Sequence, residues 1–153
     1  MKVTKLRTNH FENPLGYTLD GLSFSWVTEN STGSFQKFAQ VQISLSEDFS
    51  VLLYDSGKLL TSDSLDFRID IALTPRTRYF WRVQVWADDG DTAMSDTAFF
   101  ETAKMNEPFK GTWITPVEQG EHHPLLRKVF TMPAKEQIKQ ARAYVCGLGL
   151  YEF

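Results

Sequence analysis

The sequence predicts an all-β fold in which two sheets pack face to face as a β-sandwich. Strand signals, most of them alternating apolar and polar residues, recur between residues 2 and 102 at spacings of about ten to twenty residues, near the range typical of sandwiches. Aromatic residues, which favour strands, make up 14% of the chain. Residues 73–90 combine both features, and the other elements are arranged around them.

Residues 73–90 predict a long central strand. Side chains on its buried face are Tyr79, Trp81, Val83 and Val85, and those on its opposite face are Phe80, Arg82, Gln84 and Trp86. The strand begins after a turn that contains Pro75 and ends at Asp89-Gly90. A leucine, a proline turn and then Tyr79 also predict a tyrosine corner, in which the phenol hydroxyl bonds upstream backbone. Any other antiparallel sheet whose central strand is rich in aromatic residues stays an alternative to the sandwich.

Further strands are predicted on both sides of this central strand. In chain order they are 2–7, which we interpret as an edge strand, then 22–26, 38–46, 51–54, 65–71 and 98–102. The connections between these strands are an interruption at residues 13–16, a loop at 29–36 and a turn at 55–58. Residues 88–91 predict the hairpin turn after the central strand.

The alternation also predicts which side chains these strands bury. In residues 22–26 the inward side chains are Leu22, Phe24 and Trp26. In residues 38–46 the inward side chains are Val41, Ile43 and Leu45, and the outward ones are Gln40, Gln42 and Ser44. Residues 65–71 place apolar side chains on one face and charged ones on the other, which is typical of an antiparallel strand with one solvent-exposed face.

Residues 104–111 are polar and predict a linker to a second domain. Beyond it, residues 125–130 and 143–153 predict two strands, and residues 133–141 predict either a two-turn helix or a loop. Two strands cannot form a core of their own. We therefore expect a β-sandwich over residues 1–103, followed over 104–153 by the opening strands of a second, incomplete β-sandwich.

Charge and composition argue against several classes of partner and location. The net charge is −3, with 16 basic and 19 acidic residues and no long block of either sign, so we expect no nucleic-acid and no membrane partner. The single Cys146 cannot form an internal disulfide. Residues 1–10 lack the apolar run of a secretory signal, and no run is long enough to span a bilayer, which predicts a cytoplasmic location.

Two groups of residues resemble metal ligands. Asp88, Asp89 and Asp91 cluster as calcium ligands do, but their spacing does not match an EF-hand loop, and a hairpin turn uses Asp-Gly for its own geometry. Adjacent His122 and His123 point to opposite faces of an extended segment, which favours loop histidines over a transition-metal site. We therefore predict no metal and no cofactor.

Cys146 and Trp86 have other possible roles. Cys146 lies in an apolar run without a neighbouring base, so we interpret it as a small buried side chain and not as a nucleophile. Trp86 lies on the outer face of the central strand, where it is either covered by a neighbouring domain or part of a sugar-stacking surface. No Ser/His/Asp order, phosphate loop or paired glutamates indicate catalysis, so we predict no catalytic residue.

An ordered set of short motifs resembles a known enzyme family. The motifs are residues 13–16, 24–26, 54–58, 79–86 and 100–102, followed by 113–114, 124–130 and 141–152. The first five are similar to the N-terminal, fibronectin-type-III-like or immunoglobulin-like module of bacterial α-L-rhamnosidases. The last three are similar to the start of the next β-sandwich in those enzymes. Tyr54 departs mildly from the family, which more often has Trp at that position.

The resemblance implies a parent glycoside hydrolase that cleaves terminal α-L-rhamnose from rhamnosides with inversion. In that family two acidic residues of a helical barrel protonate the leaving oxygen and activate water. The sequence ends at Phe153 without such a barrel, so the resemblance assigns no catalytic residue to this chain.

The resemblance implies a non-catalytic scaffold whose partners are the downstream domains of the parent enzyme, with rhamnoside bound only by the catalytic domain. The alternative is a β-sandwich module that binds carbohydrate or protein through aromatics such as Trp86. We also expect the apolar side chains near the C-terminal end to dock on the first domain or to pair with another chain. These are Phe130, Tyr144, Val145, Leu148, Leu150, Tyr151 and Phe153.

Overall fold

The structure, a computed structural model, describes residues 1–19, 21–115, 125–138 and 141–147. The chain forms two compact units, Met1–Lys110 and Gly111–Phe153. The strands of the first unit are β1 (Lys2–Thr8), β2 (Leu15–Tyr17), β3 (Leu22–Glu29), β4 (Gln36–Ser44), β5 (Leu52–Asp55), β6 (Leu59–Leu60), β7 (Phe67–Ile69), β8 (Arg78–Ala87), β9 (Thr92–Met94) and β10 (Ala98–Thr102). The predicted division into domains 1–103 and 104–153 stays a prediction.

These strands form two sheets, which confirms the predicted all-β sandwich. The smaller sheet has the order β1-β3-β7 and is antiparallel. The larger sheet has the order β2-β10-β8-β4-β5, with β6 paired to β4 and β9 paired to β8. Within the larger sheet, β2 and β10 are parallel, whereas the other described pairs are antiparallel. The predicted central strand, β8, thus lies in the middle of the larger sheet.

The core lies between the two sheets and is built on the inner face of β8. The predicted inward side chains of β8 are all buried, namely Tyr79, Trp81, Val83 and Val85. Phe24 on β3 of the smaller sheet packs on Trp81 with ring centroids 4.5 Å apart, and Tyr79 stacks on Phe100 of β10 at 5.0 Å. Burying each large apolar side chain favours folding by about 1.5–3 kcal/mol. This ring cluster therefore holds the sheets together.

The predicted tyrosine corner is present at the entrance to β8. The Tyr79 hydroxyl accepts a hydrogen bond from the backbone N–H of Thr74 at 2.7 Å. On β10, the Thr102 hydroxyl donates to the Thr74 carbonyl at 2.7 Å and accepts the Thr77 N–H at 3.0 Å. The corner therefore ties the loop before β8 to the neighbouring strand of the same sheet.

The end of β4 differs from the predicted alternation. Ser44, predicted to face outward, is buried, and Leu45, predicted to face inward, is 44% exposed. The β4–β5 register shifts between Ile43 and Ser44, and a bulge of this kind reverses the facing of the residues that follow. The Ser44 hydroxyl donates a hydrogen bond to the Val51 carbonyl at 2.8 Å, so this polar group has a partner although it is buried.

The strand predicted over residues 65–71 is also shorter than expected. Only Phe67–Ile69 forms a strand, and Leu65, predicted to be inward, is 76% exposed. The Asp63 carboxylate accepts the N–H groups of Leu65 and Asp66 at 3.0 and 3.1 Å. Such capture of backbone by a side chain favours a turn over a sheet ladder, and it holds Leu65 outside the strand.

The short strands β2, β6 and β9 were not predicted. The segment before β2 is fixed by side-chain and backbone contacts with β10. The side-chain oxygen of Asn13 accepts the Phe99 N–H at 2.9 Å, and the Pro14 carbonyl accepts the Glu101 N–H at 2.9 Å. β6 and β9 contain two and three residues, which is too short for a period to be visible.

In the second unit, residues 125–130, predicted as a strand, have no regular secondary structure. Leu125 is 99% exposed, and a strand is stable only when a neighbour satisfies its backbone groups. The described part of this unit provides no such neighbour. Residues 143–147 of the other predicted strand are also irregular, whereas 148–153 lie outside the described residues. Within the predicted helix or loop at 133–141, the structure has one 3₁₀ turn, Lys135–Gln137, and residues 139–140 lie outside the described part.

Replacing Tyr79 by Phe removes the acceptor of the Thr74 N–H. We expect the free energy of unfolding of the 153-residue chain in urea to fall by about 1 kcal/mol. The matched control is Tyr54→Phe, because the Tyr54 hydroxyl makes no hydrogen bond within the described residues. We expect this control to change stability by less than about 0.5 kcal/mol. Equal losses in the two variants would contradict a stabilising role for the corner.

Candidate functional site

The outer surface of the larger sheet carries an unusual concentration of aromatic and cationic side chains, which we call the aromatic–cation face. The side chains that form it are Phe38, Gln40 and Gln42 of β4, Arg78, Phe80, Arg82, Gln84 and Trp86 of β8, Phe99 of β10, and the loop residues Phe49 and Lys58. Each outward side chain of β8 between Arg78 and Trp86 is half-buried, although that face points away from the core. Neighbouring outward side chains therefore cover one another.

Cations lie over the rings of the aromatic–cation face. The Arg78 guanidinium carbon is 4.4 Å from the centroid of the Phe99 ring, and the Lys58 ammonium is 4.6 Å from Phe38 and 4.3 Å from Trp86. Exposed contacts of this kind contribute about 0.5–1 kcal/mol each. They order long side chains that would otherwise move freely on the surface.

Arg82 is held by contacts on two sides. Its guanidinium carbon lies 4.0 Å from the centroid of the Phe49 ring, and its Nε donates to the Gln42 side-chain oxygen at 2.9 Å. The side-chain nitrogens of Gln42 and Gln40 donate in turn to the two oxygens of Asp55, at 2.8 and 2.7 Å. The guanidinium is therefore fixed by a ring on one side and by an amide–carboxylate network on the other.

The same network keeps Asp55 ionised. Burial opposes ionisation, but hydrogen bonds from Gln42, Gln40 and the Gly57 N–H, together with the charge of Arg82, outweigh it and lower the pKa of Asp55. The acid is thus a structural acceptor that holds two amides in place.

The loop between β4 and β5 places the Phe49 ring over Arg82 on the aromatic–cation face. Phe49 adopts a left-handed φ of +59°, which is unfavourable for a bulky residue. Its neighbours hold the loop, because the N–H and hydroxyl of Ser50 donate to Asp48 at 3.0 and 2.7 Å. The Ser50 groups lower the pKa of Asp48 to about 2. In the sequence this segment lies between two predicted strands, 38–46 and 51–54, and an aromatic residue within a polar connection was the one available signal for Phe49.

Trp86 is half-buried on the predicted outer face of β8 and lies opposite Phe38 of β4. The Lys58 ammonium over its ring covers a surface that a sugar would need for stacking. This contact disfavours the interpretation of Trp86 as a sugar platform. Coverage of Trp86 by a neighbouring domain stays a prediction.

The three carboxylates that resemble calcium ligands, Asp88, Asp89 and Asp91, have a structural role. Asp88 accepts the Ser34 N–H at 2.8 Å, and Asp89 accepts the Thr32 hydroxyl at 2.6 Å. Asp91 accepts the Thr32 N–H at 3.1 Å and lies 3.4 Å from the N-terminal amine. These carboxylates thus bind the β3–β4 loop to the β8–β9 hairpin. Within the described ranges, no three metal-ligating side chains of the His, Cys, Asp or Glu types come together.

Close packing accompanies these hydrogen bonds. A methyl group on Gly33 would lie 2.5 Å from the Ala87 side chain and 2.6 Å from Asp88. Only glycine allows the loop to approach the hairpin this closely.

The remaining candidate residues do not form a site. His122 and His123 lie outside the described residues. Cys146 was predicted to be buried but is exposed, because the described residues around it are irregular and do not pack as a strand. Among the described residues, no helix has the length and apolar character needed to cross a bilayer.

A polar cleft of about 460 Å³ on the smaller sheet was not predicted. Its polar lining includes Asn9, His10, Ser23, Asp66, Arg68 and Asp70. The Asp66 carboxylate accepts hydrogen bonds from the Ser23 hydroxyl and from Arg68 Nε, and these bonds lower the pKa of Asp66. Asp66 is therefore unsuited to act as a general acid, which needs a raised pKa.

Residues 3–106 match the family described as Rha78A-like, N-terminal immunoglobulin domain. A curated α-L-rhamnosidase of Streptomyces avermitilis is 32% identical over 123 residues, a match that covers 75% of this chain and 12% of that protein. An α-L-rhamnosidase of Formosa agariphila is 22% identical over 179 residues, covering 97% of this chain and 19% of that protein. The chain thus spans less than a fifth of the length of either relative.

Two solved structures share this fold. The Streptomyces avermitilis α-L-rhamnosidase complexed with L-rhamnose superposes with a TM-score of 0.62 and 33% identity, covering 67% of this chain and 10% of that one. The α-L-rhamnosidase from Dictyoglumus thermophilum superposes with a TM-score of 0.62 and 29% identity, covering 70% of this chain and 13% of that one.

The carboxylates of the β8–β9 hairpin make stability depend on pH. The Thr32 hydroxyl and the Asp91 N–H lower the pKa of Asp89, and the Thr32 N–H lowers that of Asp91. A depressed folded-state pKa contributes stability that is present above the unfolded value of about 4 and is lost as pH falls through the folded value. We therefore expect the free energy of unfolding, measured in urea, to decrease from pH 5 to pH 2.

Asp89→Asn tests the contribution of one carboxylate to this pH dependence. Since the variant has no group to protonate at this position, its stability should fall less steeply between about pH 4 and pH 2 than that of the wild type. Identical slopes for the two proteins would contradict the assigned role of Asp89.

Proposed function

Since the chain belongs to the Rha78A-like N-terminal immunoglobulin domain family, we propose that it is the non-catalytic N-terminal module of an α-L-rhamnosidase. The parent enzyme would hydrolyse terminal α-L-rhamnose from rhamnosides. The observation that carries this proposal is the family match over residues 3–106, which includes nearly all of the sandwich. The match also confirms the resemblance indicated by the ordered motifs.

The chemistry of the carboxylates supports a non-catalytic role. An inverting glycosidase needs one carboxylic acid with a raised pKa and a second carboxylate about 6.5–9.5 Å away. In this chain the pKa values of Asp48, Asp55, Asp66, Asp89 and Asp91 are all lowered. The donors that lower them belong to the protein's own loops and strands. These acids stabilise the module and are unsuited to protonating a leaving group.

The contacts of the outer face favour a scaffold over a sugar-binding module. Rings that would stack on a sugar already have cations over them, as Trp86 has Lys58 and Phe49 has Arg82. A half-buried surface of aromatics and arginines is typical of contacts between proteins. The module would thus brace its neighbours in the parent enzyme and leave rhamnoside binding to the catalytic domain.

Hydrolysis assays test this proposal. We expect the purified 153-residue chain to release no aryl alcohol from an aryl α-L-rhamnoside, whereas the full-length protein that carries it should do so. NMR of the first product formed should show the inverted anomer. The rhamnosidase of Streptomyces avermitilis serves as the positive control. Hydrolysis by the isolated chain, or none by the full-length protein, would overturn the proposal.

A further inference from the structure

We propose that the aromatic–cation face is the surface by which this module binds the catalytic part of its parent enzyme, and that Arg82 pairs there with a carboxylate of that part. This inference rests on the proposed function and names the partner of the module. The partner is a protein surface that carries acidic side chains.

The composition of the face matches the centre of a protein–protein interface. Such centres are enriched in Trp, Phe, Tyr and Arg, and a few of these residues provide most of the binding energy. The face presents Phe49, Phe80, Arg82, Trp86 and Phe99 within one sheet surface. By contrast, the cleft on the smaller sheet is lined mainly by polar and charged side chains.

The charge of the face specifies an acidic partner. Its cations are Lys58, Arg78 and Arg82, and Lys37 lies beside it at 5.7 Å from the centroid of the Phe38 ring. The carboxylates in contact with its side chains are Asp55 and Glu101. Glu101 is buried, lies opposite Arg78 on the same side of the sheet and accepts a hydrogen bond from Arg78 Nε at 3.1 Å, so these two charges neutralise each other. The face is therefore positive on a chain whose net charge is −3. Complementary potential favours a negatively charged partner and excludes positive ones.

Arg82 is prepared to bind a carboxylate. Its Nε is occupied by Gln42 and one plane of the guanidinium is covered by Phe49, whereas its two Nη atoms make no hydrogen bond within the described residues. A guanidinium edge of this kind binds a carboxylate through two parallel N–H···O bonds. Since the side chain is already ordered, binding loses less conformational entropy than it would for a mobile arginine.

Neutral sugar fits this surface less well. L-Rhamnose has no charge to match Arg82, and the ring of Trp86 is already in contact with Lys58. A second copy of the chain would have to place an acidic patch on this face. The experiments below distinguish a bound sugar and a second copy from the proposed partner.

Hydroxyl-radical footprinting of the full-length protein and of the 153-residue chain tests the proposal. We expect labelling of Phe49 and Trp86 to be about tenfold lower in the full-length protein, because an interface core excludes water. Val27 and Leu65, which are exposed on or beside the smaller sheet, provide the internal control and should be labelled equally in both samples. Equal labelling of Phe49 and Trp86 in the two samples would overturn the proposal.

A matched pair of charge reversals tests the role of Arg82. In the full-length protein, Arg82→Glu should restore labelling of Phe49 and Trp86, whereas Arg68→Glu on the smaller sheet should not, because the Arg68 side chain is 80% exposed and lies outside the face. Circular dichroism of the same variants in the isolated chain verifies that each folds. If Arg82→Glu does not fold, Arg82→Gln, which removes the charge, replaces it. Protection that persists in a folded variant would overturn the role of Arg82.

Three further measurements distinguish the proposed partner from a sugar and from a second copy of the chain, and test the proposed function separately. Protection of Trp86 in the isolated chain by added L-rhamnose would overturn the proposal in favour of a sugar site. Concentration-dependent protection together with a dimer in sedimentation would overturn it in favour of a second copy. Rhamnoside hydrolysis is measured on the same full-length samples. Protection without hydrolysis would support the docking surface and overturn the proposed enzyme, whereas hydrolysis without protection would overturn the docking surface alone.

Discussion

The two-residue period of β8 is the constraint on which the rest of the structure depends. One strand in the middle of the larger sheet sends Trp81 into the core and Trp86 to the aromatic–cation face. Since the period of a strand is two, a slip of one residue would exchange every side chain between these faces. The ring cluster and the tyrosine corner fix this register, and they thereby determine which aromatic residues lie on the outer face of the larger sheet.

The carboxylates show how much of the molecule serves the fold itself. Asp88, Asp89 and Asp91 hold a loop against the β8–β9 hairpin, and Asp55 orders the amides beside Arg82. A cluster of acids in a sequence suggests a cation or a catalytic pair, but here protein donors occupy the oxygens. Arginines and aromatic rings, residue types that are enriched at protein interfaces, form the aromatic–cation face instead.

Signals carried by adjacent residues were sufficient to predict the centre of the fold. The alternation of β8, the turn before Tyr79 and the Asp-Gly turn after the strand are local, and the structure confirms each of them. The bulge at Ser44 and the turn at Asp63 depend on side chains that capture backbone groups, so alternation alone misplaced Leu45 and Leu65. Periodicity predicts a strand correctly only where no side chain competes with the neighbouring strand for the backbone groups.

Contacts between residues far apart in sequence were not predictable in the same way. Phe49 and Lys58 reach the aromatic–cation face from loops, and their ring and charge contacts have no sequence spacing that identifies them. In the second unit, residues 125–130 were predicted as a strand, but a strand is stable only when a neighbour completes its hydrogen bonds.

The two faces of β8 contribute differently to stability, and equilibrium unfolding of Trp81→Ala and Trp86→Ala in the isolated chain tests this difference directly. We expect Trp81→Ala to lower the free energy of unfolding by about 3–5 kcal/mol, because it leaves a cavity between the sheets. Trp86→Ala should lower it by about 1 kcal/mol at most, since it removes one cation–π contact from a half-buried surface. Losses of equal size in the two variants would contradict the division of roles between the two faces.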